Sequence, residues 1–98
     1  MTYSDPTERA ALIGGLRALA DYLVSNPEVP VPIYSSVHTF PPSDDEWAGM
    51  CADIDAIAAP LGVVAHRAFG GHYVAARSFG PVEYRAVAIP RRDDTESE

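Results

Sequence analysis

The chain has no lysine and a single cysteine, Cys51. One cysteine excludes an internal disulfide, which suits a reducing compartment. Without lysine, seven arginines are the only strong cations against fourteen acids, and the formal net charge is −7. That balance argues against non-specific nucleic-acid binding, which needs a cationic footprint to release phosphate counterions. No apolar run approaches the ~18 residues needed to span a bilayer. The start, "MTYSDPTERA", lacks the basic head and apolar middle of a secretory leader. These absences predict a cytoplasmic protein with no membrane partner.

What is present is the composition of a small folded domain. Hydrophobic residues are 47% and charged residues 21%, which disfavours disorder except at the ends. Ninety-eight residues suffice for one domain, placed at 1–90, with a thin core that buries about 60–65% of the unfolded surface. Residues 91–98, "RRDDTESE", have no apolar content and are expected to form a flexible charged tail.

Two helices are signalled. In "DPTE", Asp5 suits a cap, Pro6 the first helical position, and Glu8 the reciprocal bond to the cap amide. Leu12, Ile13, Leu16, Leu19, Ala20 and Leu23 then recur at three- and four-residue spacing. Pro27 disfavours helical geometry at Asn26 and ends the run. The second helix opens at "PPSDDE", with Ser43 as cap and Glu46 as its reciprocal partner. Trp47, Met50, Cys51, Ile54, Ile57, Ala58 and Leu61 make its apolar face, and Gly62 its stop. Asp53 and Asp55 read as its solvated flank.

Between the helices, "EVPVPIYSSVHTF" suits a strand whose first half, carrying Pro30 and Pro32, is an edge or an approach segment. After Val63, glycine-punctuated runs predict an antiparallel meander near 63–69, 72–79 and 82–89, turning at Gly70-Gly71 and Gly80-Pro81. The fold class is α+β: a two-layer sandwich with two helices packed on one face of a four-stranded, mostly antiparallel sheet, in the order α-β-α-β-β-β. The strand–helix–strand unit over 31–69 is right-handed if its strands are parallel and share a sheet.

A two-residue Gly70-Gly71 turn would pair Phe69 with His72 and Arg67 with Val74. One sheet face then holds His66, Tyr73, Ala75, Arg77, Phe79, Val82, Tyr84, Ala86 and Ala88. Its aromatic bulk and alanines suit a covering helix. The other face holds Arg67, Phe69, His72, Val74, Glu83, Arg85 and Val87, and a one-residue slip would exchange the two. Arginine beside aromatics is the composition of binding hot spots, so Arg67, Phe69, His72, Arg85 and Val87 are the candidate binding surface. The same residues also suit a sheet face that only meets water.

Signals for chemistry are weaker. No histidine has a cysteine or acid at a familiar metal spacing, and no metal or cofactor is expected. Cys51 sits on an apolar stripe, as a small packed thiol does. Ser36 and His38 share a strand face with no third group to orient them. "FGGH" and "FGP" are hairpin turns and not phosphate loops.

The segments "VPVPIYSSVHTF" and "RSFGPVEYRAVAIPR", with "ALIGGLRALADYLVSNPEVPVP" before them, resemble a loose set of short proteins from GC-rich bacteria and their phages or mobile elements. Pro30, Pro32, Phe79, Gly80, Val82 and Tyr84 carry the resemblance. It implies an α+β fold and a mobile-element setting. That set has no established activity, so no catalytic or ligand residue carries over.

The leading expectation is a non-catalytic domain that binds a protein partner, with homodimerisation through the Val31–Phe40 edge as one form. A second reading is a small enzyme or ligand-binding protein with a pocket between the second helix and the sheet, lined by His66, Arg77 and Tyr84. A third is a nucleic-acid-binding regulator using Arg67, Arg77, Arg85, Arg91 and Arg92.

Overall fold

A computed structural model of the chain describes residues 5–41 and 46–90. Two compact units divide the chain, Met1–Ile33 and Tyr34–Glu98. The proposed tail at 91–98 lies outside the described residues. No described helix is long and apolar enough to cross a membrane.

The first unit carries helix α1, Pro6–Ser25. Its start is fixed by local chemistry. The Glu8 amide donates to Asp5 Oδ1 at 2.7 Å, and the Asp5 amide donates to Glu8 Oε1 at 3.1 Å. The two bonds close a capping box, with Pro6 in the first turn where its missing N–H costs nothing. At the other end Asn26 Nδ2 donates to the Tyr22 carbonyl at 2.8 Å, satisfying one of the last orphan acceptors. None of the twenty residues of α1 is buried, and Leu12, Leu16 and Leu19 along its stripe are exposed.

The second unit contains β1 (Ser35–Thr39), α2 (Trp47–Leu61), β2 (His66–Arg67), β3 (Tyr73–Phe79) and β4 (Val82–Ala88). The strand expected over Val31–Phe40 forms only from Ser35, beyond both prolines. The proposed cap Ser43 lies outside the described residues. Glu46 is not a reciprocal partner: it occupies the cap position of α2 itself, with no side-chain cap bond. Gly62 closes the helix in the left-handed region, φ 77°, donating its amide to Ala58 and Ala59.

The four strands form one mixed sheet in the order β1-β4-β3-β2. The order therefore departs from chain order. β1 lies parallel to β4, the last strand, while β3 pairs antiparallel with both β4 and β2. β1 and β2 thus run parallel at opposite edges, with α2 between them in the chain.

The helix α2 covers one face. Met50, Ile54 and Ala58 pack with Ala75, Ala86 and Ala88, and Trp47, Ile57, Tyr73 and Tyr84 close in around them. Three alanines on the sheet let the helix come close enough for Ile54 to lose all solvent contact. Asp53, expected on the solvated flank, is buried instead. Its place three residues after Met50 and next to Ile54 turns it inward with them.

The Gly80-Pro81 turn produces the anticipated register, Phe79 opposite Val82 and Arg77 opposite Tyr84. The other turn does not. Phe69–Gly71 form a three-residue 3-10 turn, and the Ala68 amide donates to the His72 carbonyl at 2.7 Å. One extra loop residue slips the register by one. His66 pairs with Val74 and Arg67 with Tyr73, so these two side chains exchange faces relative to the sequence-based register.

Candidate functional site

That slip decides what comes together. Arg67 stands on the α2 face, in the row of Tyr73 and Ala88. Arg85 and Val87 stand on the opposite face, and Val87 is buried. Phe69 projects from the 3-10 turn with its whole side chain exposed, and His72 follows it half-buried. The five residues of the candidate surface therefore do not share one face. Of the proposed pocket lining, Arg77 and Tyr84 are cross-strand neighbours on the α2 face, and His66 is on the other side.

Arg77 has a structural position. Its Nη1 donates to the Leu61 carbonyl at 3.2 Å, at the C-terminal end of α2 where a cation meets the helix dipole favourably. Its guanidinium also lies 5.6 Å from the centre of the Phe79 ring, within cation–π range.

Two polar groupings occupy opposite edges. By the β2–β3 edge, Tyr73 Oη donates to Asp55 Oδ1 at 2.7 Å. This bond, reinforced by desolvation and by the Asp55 charge, raises the tyrosine above its ordinary value. Nearby, burial raises the Cys51 thiol, a rise that Arg67 opposes and Asp55 assists. Both shifts favour the protonated forms, and a protonated thiol is a weak nucleophile. By the β1–β4 edge, Ser36 Oγ donates to Glu83 Oε1 at 3.0 Å, and Arg85 Nη1 lies 3.6 Å from the same oxygen. The sole anion of the β3–β4 hairpin thus accepts one hydrogen bond and has one cation beside it. His38 belongs to β1 and His66 to β2, with two strands between them, so they cannot meet around one ion.

The remaining feature is the sheet edge expected along Val31–Phe40. Among the described residues no strand lies beyond β1 or beyond β2. β2 is two residues long and offers little main chain. β1 is five residues long, and its polarity follows from one hydrogen bond. The Ser35 amide donates to the Pro81 carbonyl at 3.0 Å, which turns Ser35, and by alternation Val37 and Thr39, toward β4. In a parallel pair the amide and carbonyl of one residue point the same way. Ser36 and His38 therefore present both groups outward. Exposed Tyr34 and Phe40 flank the strand. The Phe40 ring meets His38 edge-on, with centroids 6.2 Å apart, so it lies on the same side as the even-numbered residues. A cationic or anionic side chain, a usual guard of an edge, is missing from Tyr34–Phe40.

Comparison with known proteins adds no relative. No family model, no curated protein and no solved structure matches this chain.

Proposed function

We propose that this chain is a small non-catalytic binding domain that takes an extended segment of a protein partner as a further strand along β1. The outward main-chain groups of Ser36 and His38 carry this reading. Such groups supply affinity by hydrogen bonding, and flanking side chains supply selectivity. Tyr34 and Phe40 are the flanking groups here, and both are exposed aromatics of the kind that anchor interfaces. A five-residue edge gives few main-chain bonds, so affinity for one segment is modest.

His38→Pro tests the reading directly. The His38 amide faces away from β4, so proline at that position removes an outward donor and leaves the β1–β4 ladder intact. Extended peptides selected on the protein from a display library should protect the Ser36 and His38 amides from hydrogen exchange. They should also bind His38→Pro about tenfold or more weakly, the loss of one main-chain bond with its partner left unsatisfied. Selected peptides that bind both proteins equally, or a library that gives none, would overturn the proposal.

A further inference from the structure

The segment from Tyr34 to Phe40 reads Tyr-Ser-Ser-Val-His-Thr-Phe. About Val37 it is symmetric in chemical class: aromatic, hydroxyl, polar, valine, polar, hydroxyl, aromatic. We infer that the strand this edge accepts is the same edge of a second copy, antiparallel, with a two-fold axis at Val37. The inference rests on the strand-addition reading and names its partner.

Main-chain geometry narrows the choice of register. In an antiparallel pair, residues whose amide and carbonyl face the partner must lie opposite residues that do the same. Along Tyr34–Phe40 those are the even-numbered ones, so Ser36 can face Tyr34, Ser36, His38 or Phe40 of the other copy. Only the pairing of Ser36 with His38 uses the whole segment. It sets Ser36 against His38, twice, and Tyr34 against Phe40, twice. Aromatic pairs and hydroxyl-bearing pairs are among the favourable cross-strand combinations. Ser35 then faces Thr39, and the two copies of Val37 meet as a close pair with no hydrogen bonds between them. A register centred on His38 would stack two histidines and leave Tyr34 without a partner.

Charge permits the pairing. The protein carries a net charge of −7, which disfavours self-association in general. Tyr34–Phe40 contains no acid, and the acid of the adjoining row, Glu83, lies beside Arg85 and accepts a bond from Ser36. The segment is thus a place where two copies can touch with little like-charge cost. An isologous contact of this kind also closes on itself, giving a dimer and not a fibre. Seven residues per copy form a small interface, below the roughly 1,200 Å² of a standard complex, so the association is weak and concentration-dependent.

Light scattering coupled to size exclusion is the first test. The apparent mass should rise from 10.5 kDa toward twice that value as concentration increases over ~1–100 µM, the range for a small interface. His38→Pro should stay at the monomer mass with an unchanged circular dichroism spectrum. The register is tested by oxidation in a Cys51→Ala background. Val37→Cys should cross-link to itself, because a close antiparallel pair has Cα atoms about 4.5 Å apart, within disulfide reach. Ser35→Cys and Thr39→Cys should cross-link only when the two proteins are mixed. A dimer that survives His38→Pro, or one that cross-links through Thr39→Cys alone, overturns the self-pairing. A chain that stays monomeric while added peptides still protect the Ser36 and His38 amides overturns the self-pairing and keeps strand addition. A monomer whose edge accepts no peptide overturns both.

Discussion

The two α-helices among the described residues are stabilised by opposite means. α1 is the longer, twenty residues against fifteen, and its first turn is closed by a reciprocal cap. None of its residues is buried. α2 has no side-chain cap bond and carries Pro60 in its last turn, yet it buries Met50, Asp53, Ile54 and Ala58. Local hydrogen bonds specify where the first begins and ends. Removal of apolar area from water holds the second. Cap signals are worth about 1 kcal/mol each, whereas burial of one large aliphatic side chain is worth about 2–3 kcal/mol, so the two helices should respond differently to substitution.

Ile54→Ala should produce the largest effect. It leaves a cavity at a position with no solvent contact and should cost about 3 kcal/mol, read as a lower denaturant midpoint for the sheet and α2. A change below about 1 kcal/mol would mean that this helix is not held by its buried stripe. Substitutions in α1 should be smaller and take either sign. Asp5→Ala removes the cap and should cost about 1 kcal/mol of helix stability. Gly14→Ala should raise helix stability by up to about 1 kcal/mol, because a Cβ there meets nothing within 4 Å. Amide exchange along α1 would report both, and equal signs would break the comparison.

The smallest effect concerns Tyr73, where α2 meets the sheet through Asp55. Its hydroxyl is held above the ordinary value of 10.0, chiefly by the bond to Asp55. The folded protein therefore keeps this proton longer than the unfolded chain does. The stabilisation is complete below about pH 10, and it declines as pH rises from there through the raised folded value. Tyr73→Phe should lower stability slightly at neutral pH, where the bond to Asp55 is complete, and flatten the alkaline slope. A slope unaltered by that substitution would remove Tyr73 as its source.

Sequence reading succeeded where the determining physics is local. The capping box at Asp5 and Glu8, the stop at Asn26-Pro27, the glycine end of α2 and the turn at Gly80-Pro81 each depend on a few adjacent residues. It failed by one residue at Gly70-Gly71, where two glycines fit a two-residue turn as well as the observed 3-10 turn from Phe69. That slip dispersed the candidate set of Arg67, Phe69, His72, Arg85 and Val87. The edge was expected over Val31–Phe40 as a place for strand addition, but the strand begins only at Ser35. Its orientation depends on the pairing of β1 with β4, and the Ser36–Glu83 contact spans 47 residues. No spacing within β1 encodes a neighbour so far along the chain.

The parallel placement of β1 also bears on how the molecule is assembled. The β3–β4 hairpin and α2 are made of nearby segments, and contacts between nearby segments form early and quickly. β1 precedes them all in the chain but can dock only after residues 82–86 have found their places beside β3. The earliest-made of the described strands therefore cannot pair until the latest-made one is in place. Until then both of its edges are bare, so chaperone capture and premature association of nascent chains should concentrate on Ser35–Thr39.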